Sequence, residues 1–342
     1  MTKTSTPVTV HFVCRGNTYR SRLAAAYMAT LVGDQFNITS SGIGAKLTSV
    51  RTVEPYTKAT ARAHHLKHGV SGRNQQASDE LLAAADVIIF MNKDIYDEAL
   101  RRFTVDTRKT LVWRVRDMDP DSKKRVLAQG SESALLEASA ATFRTIQRHC
   151  DELYTYLTHT AWVDVVDRDN RTTGLRLPMA WVTDRGLWHR GVHVVVQTAD
   201  GKYVVGKRSP HIVFAPGMLE ISLGGGIDSG ELPLQAAQRE THEELGVAVR
   251  ARDFRPLFLY RSVSYHPHYR KYSKVHLYVY SVRLPVLRAG LTPQPDEVAE
   301  LRTLSKRQVK HLLNTHRMTN FGRLKWSYKL YQKAVAYSAL PL

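Results

Sequence analysis

Only two cysteines, Cys14 and Cys150, occur among 342 residues. No disulfide framework is available to them, and a reducing compartment is expected. Long apolar runs are equally scarce. None approaches the roughly 20 residues needed to cross a bilayer, and Val87–Met91 and Val192–Val196 are short enough to be buried strands. Despite a net charge of +18 there is no dense Lys/Arg block. That disfavours a dedicated nucleic-acid tail and leaves a general attraction for anions, phosphorylated compounds included. Residues 1–160 hold 22 Lys+Arg against 16 Asp+Glu and the remainder 27 against 15, so the basicity is spread over both halves. No Gly/Ser linker, low-complexity stretch or internal repeat interrupts the chain. No signal-peptide pattern precedes the first expected strand, so a cytoplasmic protein with no membrane partner is expected.

The length implies two domains, with a boundary expected near residue 160, giving 1–160 and 161–342. In the first, Val8–Val13, Asp86–Met91 and Thr110–Val115 read as buried strands. Ser21–Leu31 and Ser131–His159 read as amphipathic helices, Cys150 lying on the apolar stripe of the second as a packing residue. Such alternation predicts an α/β fold with a parallel sheet and helices on both faces. In the second, Trp162–Val166, Val192–Gln197, Tyr203–Lys207 and Val275–Val282 read as strands. Asp200-Gly201 supplies the positive φ of a hairpin turn.

The segment Cys14-Arg15-Gly16-Asn17-Thr18-Tyr19-Arg20-Ser21 joins a strand end to a helix start. Backbone N–H groups and the helix dipole there favour an anion, and a cysteine at the mouth is favoured as thiolate. Arg20 closes the ring and grips two phosphate oxygens with its planar fork. The Ser21 hydroxyl can donate to the sulfur, and Gly16 lets the loop turn. A bare C-x5-R arises often by chance; its placement between strand and helix is what favours chemistry.

With Ser40-Ser41-Gly42, Ala85–Met91 and Asp119-Pro120, this loop resembles the low-molecular-weight protein tyrosine phosphatases and related arsenate reductases over residues 8 to about 157. The resemblance implies Cys14 as nucleophile, residues 15–21 as the phosphate cradle, Asn17 holding strained backbone, no cofactor, and Asp119 as the acid that protonates the leaving group and then activates water. Asp117 and Asp121 are neighbouring candidates for the acid. Tyr19 stands where the family often has a second cysteine, Arg15 adds charge at the rim, and Asp121-Ser122-Lys123 replaces the aromatic wall. Thr18 is similar to the threonine of bacterial phosphoarginine phosphatases, so phosphoarginine joins phosphotyrosine as an expected substrate.

In the second half, Gly225, Glu231 and Arg239-Glu240-Thr241-His242-Glu243-Glu244-Leu245-Gly246-Val247 follow the spacing G-x5-E-x7-R-E-U-x-E-E-x-G-U. Pro233 opens the helix and Gly246 ends it. Glu240, Glu243 and Glu244 then share one face, a crowding of carboxylates that suits Mg²⁺ or Mn²⁺. An isolated pair of glutamates is usually a solvated surface; the complete spacing is identified as a Nudix box. The resemblance to Nudix hydrolases over about 161–310 implies an α/β/α sandwich with a mixed sheet and hydrolysis of a nucleotide-like or other organic diphosphate. Glu243 and Glu244 would ligate the metal, with Glu240 as further ligand or base. Gly225 would offer its carbonyl, Glu297 a later acidic group, and Arg239 would orient the glutamates. Trp188-His189-Arg190 and Phe214–Glu220 resemble the isopentenyl-diphosphate isomerase branch, but the half lacks any cysteine, so hydrolysis is expected in place of isomerisation.

The leading expectation is a bifunctional phosphohydrolase acting on phosphorylated small molecules or phosphoproteins. A sensor with one non-catalytic phospho-ligand domain is an alternative. An RNA-binding or decapping protein, whose affinity would fall steeply with salt, is another.

Overall fold

The computed structural model describes residues 7–47, 52–66, 70, 72–211, 216–266, 271–284, 298–315 and 325–338. They form two compact units, Met1–Thr160 and Ala161–Leu342.

The first unit runs β1 (Val8–Cys14), α1 (Arg20–Leu31), β2 (Phe36–Gly42), α2 (Pro55–Ala63), α3 (Asp79–Ala84), β3 (Val87–Phe90), α4 (Lys93–Arg102), β4 (Thr110–Val112), α5 (Pro120–Gln129) and α6 (Glu132–Thr158). The sheet is wholly parallel in the order β2-β1-β3-β4. All four residues of β3 are buried, as a strand covered on both faces requires. In α6 the apolar stripe Leu135, Phe143, Ile146, Cys150, Leu153 and Leu157 is buried, and Ser131 caps the start by accepting from the Ala134 N–H. The Cys150 thiol donates to the Ala24 carbonyl and is pushed up in pKa by burial. The strand expected over Thr110–Val115 stops at Val112. Trp113 and Val115 still donate to the Phe90 and Met91 carbonyls, and this continuation carries the chain past the C-terminal end of the sheet toward Asp117 and Asp119.

The second unit runs β5 (Trp162–Val166), β6 (Thr172–Pro178), α7 (Met179–Asp184), β7 (Trp188–Thr198), β8 (Tyr203–Arg208), β9 (Leu219–Glu220), β10 (Ser222–Leu223), α8 (Pro233–Leu245), β11 (Phe254–His266), β12 (Lys271–Leu284), β13 (Val298–Leu304), α9 (Lys306–Asn314) and α10 (Lys325–Ser338). The sheet is mixed. β12 pairs parallel with β7, whereas β11–β12, β5–β6 and β8–β13 are antiparallel. Alternation along β7 sorts its side chains. Val192, Val194 and Val196 pack with Ala236, Ala237 and Leu245 of α8, while Val195 packs with Val309 and Leu313 of α9 and Leu330 and Val335 of α10. Helices therefore cover both faces. The turn before β8 has Gly201 at φ +78°. Tyr265 to Tyr269 reads from the end of β11 into residues outside those described.

Candidate active sites

In the first unit β1 ends at Cys14 and α1 begins at Arg20, so the intervening loop stands at the sheet's C-terminal edge. Its carbonyls are held from outside. Cys14 O accepts from Ile43 N at 3.0 Å, Arg15 O from Gly44 N at 2.8 Å, and Thr18 O from Glu54 N and the Thr57 hydroxyl at 3.1 and 3.0 Å. Asn17 O accepts from Arg22 Nε at 3.1 Å. In a trans peptide N–H and C=O point oppositely, so the N–H groups of Arg15, Gly16, Thr18 and Tyr19 turn the other way. The Asn17 N–H reaches Cys14 Sγ at 3.1 Å, and Ser21 Oγ lies 3.0 Å from the same sulfur.

Asn17 takes a left-handed φ of +52°, which an asparagine tolerates better than most residues. Its side chain fixes that turn, donating to Ser21 Oγ and Ser40 Oγ at 3.0 Å each and accepting from Gln75 N at 2.9 Å. Gly42 is obligatory beside it. A Cβ there would stand 2.6 Å from both Arg15 O and Asn17 N. Arg20 is buried, donating to Val115 O at 3.1 Å and to Asp117 Oδ2 at 2.6 Å.

The departures from the family pattern acquire physical meaning. Tyr19 is buried, edge-on to Tyr56 at 4.6 Å. Arg15 at the rim is balanced by Glu98 at 2.9 Å. Asp119 is the N-cap of α5, its Oδ1 accepting from Asp121 N and Ser122 N at 3.1 and 3.0 Å. The Ser122 side chain and these N–H groups hold its carboxyl below the usual carboxylate range. Lys123, one turn along α5, pairs with buried Glu54 at 2.6 Å, and Glu54 N is bound to the phosphate loop. Helix α5 is thereby tied to the segment that supports the loop. Arg22 carried no recognised signal, and Gln75 and the Glu54–Lys123 pair reach the loop from places that only the fold brings near.

In the second unit Pro233 occupies the first turn of α8, and Gly246 closes it at φ +69°. The box arginine organises the rest. Arg239 has five N–H donors, and five bonds use them: Nε and Nη2 to the two oxygens of Glu231 at 3.0 Å each, Nη2 to Gly226 O at 2.9 Å, and Nη1 to Glu240 Oε1 at 2.7 Å and Glu243 Oε2 at 3.1 Å. Although burial opposes its charge, Glu231 and Glu240 raise its pKa beyond the ordinary guanidinium value. Glu244 Oε1 accepts from Gly224 N at 2.7 Å. Glu240 is buried, with side-chain exposure of 8%, against 44% for Glu243.

Gly225 O, an expected ligand, accepts from Val192 N at 2.9 Å, which takes one of its two lone pairs. A Cβ on Gly225 would meet Glu240 Oε1 at 2.5 Å, so glycine is what admits that carboxylate. An open cavity of about 410 Å³ is lined by Gly224, Glu240, Glu243 and Glu244, and also by Arg208 and Glu220. Arg208 pairs with Glu220 at 2.5 Å, and the Tyr331 hydroxyl donates to Glu220 at 2.9 Å. Among the described residues no three His, Cys, Asp or Glu side chains stand together as a ready metal cage. Arg239 occupies oxygens of two box glutamates, and Glu297 lies outside the described residues. The donor chemistry, oxygen alone, fits a hard divalent cation. No helix among the described residues is long and apolar enough to cross a membrane.

Comparison with known proteins finds one family in each unit. The family model described as low molecular weight phosphotyrosine protein phosphatase matches residues 9–161, and that described as NUDIX domain matches residues 187–326. An uncharacterized Nudix hydrolase, YfcD of Salmonella typhi, is 38% identical over 92 residues, 27% of this chain and 50% of that protein. The chain thus spans about half the length of that relative. Another uncharacterized Nudix hydrolase, orf19 of Rhodococcus erythropolis, is 33% identical over 141 residues, 40% of this chain and 74% of that protein. A low molecular weight protein tyrosine phosphatase structure from Streptococcus pyogenes is 17% identical, covers 44% of this chain and 93% of that one, and has a TM-score of 0.34. The chain belongs to the Nudix hydrolases and carries, ahead of its Nudix domain, a low molecular weight phosphotyrosine protein phosphatase domain.

Proposed function

We propose that the protein is a bifunctional phosphohydrolase, with a cysteine-dependent phosphomonoesterase in its first domain and a Mg²⁺- or Mn²⁺-dependent organic diphosphate hydrolase in its second. The observation that carries the first activity is the sulfur of Cys14 lying 3.0 Å from Ser21 Oγ and 3.1 Å from Asn17 N, within a loop whose carbonyls face outward. A phosphoryl group seated there receives the turned N–H groups and the Arg20 fork. Cys14 Sγ forms the bond to phosphorus as the bond to the leaving group breaks, and Asp119 supplies the leaving group's proton. Water then displaces the sulfur from phosphorus, its proton passing to Asp119, while Ser21 stabilises the departing thiolate. Phosphotyrosine and phosphoarginine are the leaving-group classes, with Thr18 favouring the latter.

In the second domain Glu243 and Glu244 would hold the cation, with Glu240 and the remaining lone pair of Gly225 O beside it and Glu297 as a further carboxylate. When bound, the cation neutralises charge on the diphosphate oxygens. Arg239 keeps Glu240 and Glu243 oriented, and the Arg208–Glu220 pair lies in the cavity wall. The partners are phosphorylated small molecules or phosphoproteins for one site and a nucleotide-like diphosphate for the other.

The test is a double dissociation on the full-length protein. Cys14→Ser is expected to abolish monoester cleavage and spare metal-dependent diphosphate hydrolysis, while Glu243→Gln does the reverse. Monoester cleavage surviving in Cys14→Ser, or diphosphate hydrolysis unaffected by chelation of divalent metal, would overturn the corresponding half.

A further inference from the structure

Arg22 stands two residues beyond the phosphate-gripping Arg20 on α1, and its residue exposure is only 8%. Its guanidinium reaches back under the loop. Nε donates to the carbonyl of left-handed Asn17 at 3.1 Å, and Nη2 donates to the carbonyl of Arg73. Asn17 in turn accepts from the N–H of Gln75 at 2.9 Å, so the segment 73–75 and the loop are clasped twice. The four outward carbonyls of the loop are those of Cys14, Arg15, Asn17 and Thr18. Of these, that of Asn17 is held by a cationic side chain. Keeping a guanidinium out of water is costly unless its charge is used.

We infer that Arg22 is a positioning residue of the phosphate loop, fixing the Asn17–Thr18 peptide so that the Thr18 N–H faces the anion. The inference rests on the phosphatase reading of Cys14. The forked donation sets loop geometry, which governs phosphate affinity. The other ionisable groups about the loop are Arg20 with Asp117, Arg15 with Glu98, Glu54 with Lys123, and His11 behind Ser41.

The experiment compares full-length wild type, Arg22→Met and Arg22→Lys. The readouts are the rate of iodoacetamide alkylation that inorganic phosphate suppresses, at about pH 6, and inhibition of monoester cleavage by inorganic phosphate. Arg22→Met is expected to weaken both phosphate inhibition and phosphate protection against alkylation by about ten-fold. Arg22→Lys, which keeps the charge without the fork, is expected to remain poor in both. Values equal to wild type for Arg22→Met overturn the inference. If Arg22→Met fails to fold, phosphate inhibition unchanged in Arg22→Lys overturns it. The underlying reading fails separately, and visibly: wild type then shows no phosphate-protected alkylation, and Cys14→Ser still cleaves monoesters.

Discussion

In the proposed phosphatase chemistry, two side chains, Asp119 and Thr18, act beyond the nucleophile. Asp119 is held below the usual carboxylate range by the Ser122 side chain and the N–H groups it caps. At neutral pH it is therefore ionised, the form that accepts a proton from water, and its proton-donating form grows only as the pH falls. Asp119→Ala is expected to slow cleavage most for poor leaving groups, which need that proton, and least for good ones. In wild type, cleavage of a poor leaving group should rise from neutral toward mildly acidic pH, and the variant should lose that rise. Rates measured over a leaving-group series at two pH values decide it; an equal loss across the series would point to Asp117, which already sits 2.6 Å from Arg20. Thr18 is buried, and its carbonyl is bound by Glu54 N and the Thr57 hydroxyl. Thr18→Ile keeps the branched shape and removes the hydroxyl, so a shift of preference from phosphoarginine toward phosphotyrosine peptides is expected. An unchanged ratio of the two kcat/KM values would show that Thr18 carries no specificity.

At the scale of elements, both sites depend on glycines where two segments meet without room for a side chain. Gly42 ends β2 against the phosphate loop, and a methyl group there would press on Arg15 O and Asn17 N at 2.6 Å, both backbone atoms that cannot swing aside. Gly42→Ala is expected to displace the loop, lowering phosphatase activity by about 100-fold or more, the scale on which roughly 1 Å of misplacement acts. Diphosphate hydrolysis, which belongs to the other unit, should be untouched. A Gly42→Ala protein with wild-type phosphate inhibition would show that the loop tolerates the shift. The equivalent crowding in the second unit is Gly225 against Glu240. There a helix carboxylate, rather than a backbone loop, is what the glycine admits.

On the proposed reading, the whole molecule joins two chemistries that follow one another. Hydrolysis of an organic diphosphate leaves products bearing monophosphates, and a cysteine phosphatase removes a monophosphate. If the two act in sequence, intact protein given its best diphosphate substrate with Mg²⁺ should release inorganic phosphate after a lag. Glu243→Gln should stop both steps, and Cys14→Ser should stop the second alone. Accumulation of the monophosphate by the intact protein would show that the sites serve different substrates.

Much of this was legible in the residues because both motifs are local. The phosphate loop is eight consecutive residues between a strand and a helix, and the box glutamates share a face by helical period, so Cys14, Arg20, Glu240, Glu243 and Glu244 could be named without coordinates. One helix end was legible for the same reason, Gly246 being a cap written in the chain. Strand β2 was not, since Asn37, Thr39, Ser40 and Ser41 carry little apolar signal; its place beside β1 comes from parallel pairing across intervening α1. Tertiary structure alone decided which distant groups complete each site. Asp117 reaches Arg20, Gln75 reaches Asn17, Lys123 reaches Glu54, and Tyr331 reaches Glu220 across separations of 58 to 111 residues. Hydrogen bonds between segments that far apart leave no period or spacing in the sequence, because only the folded chain brings donor and acceptor within reach.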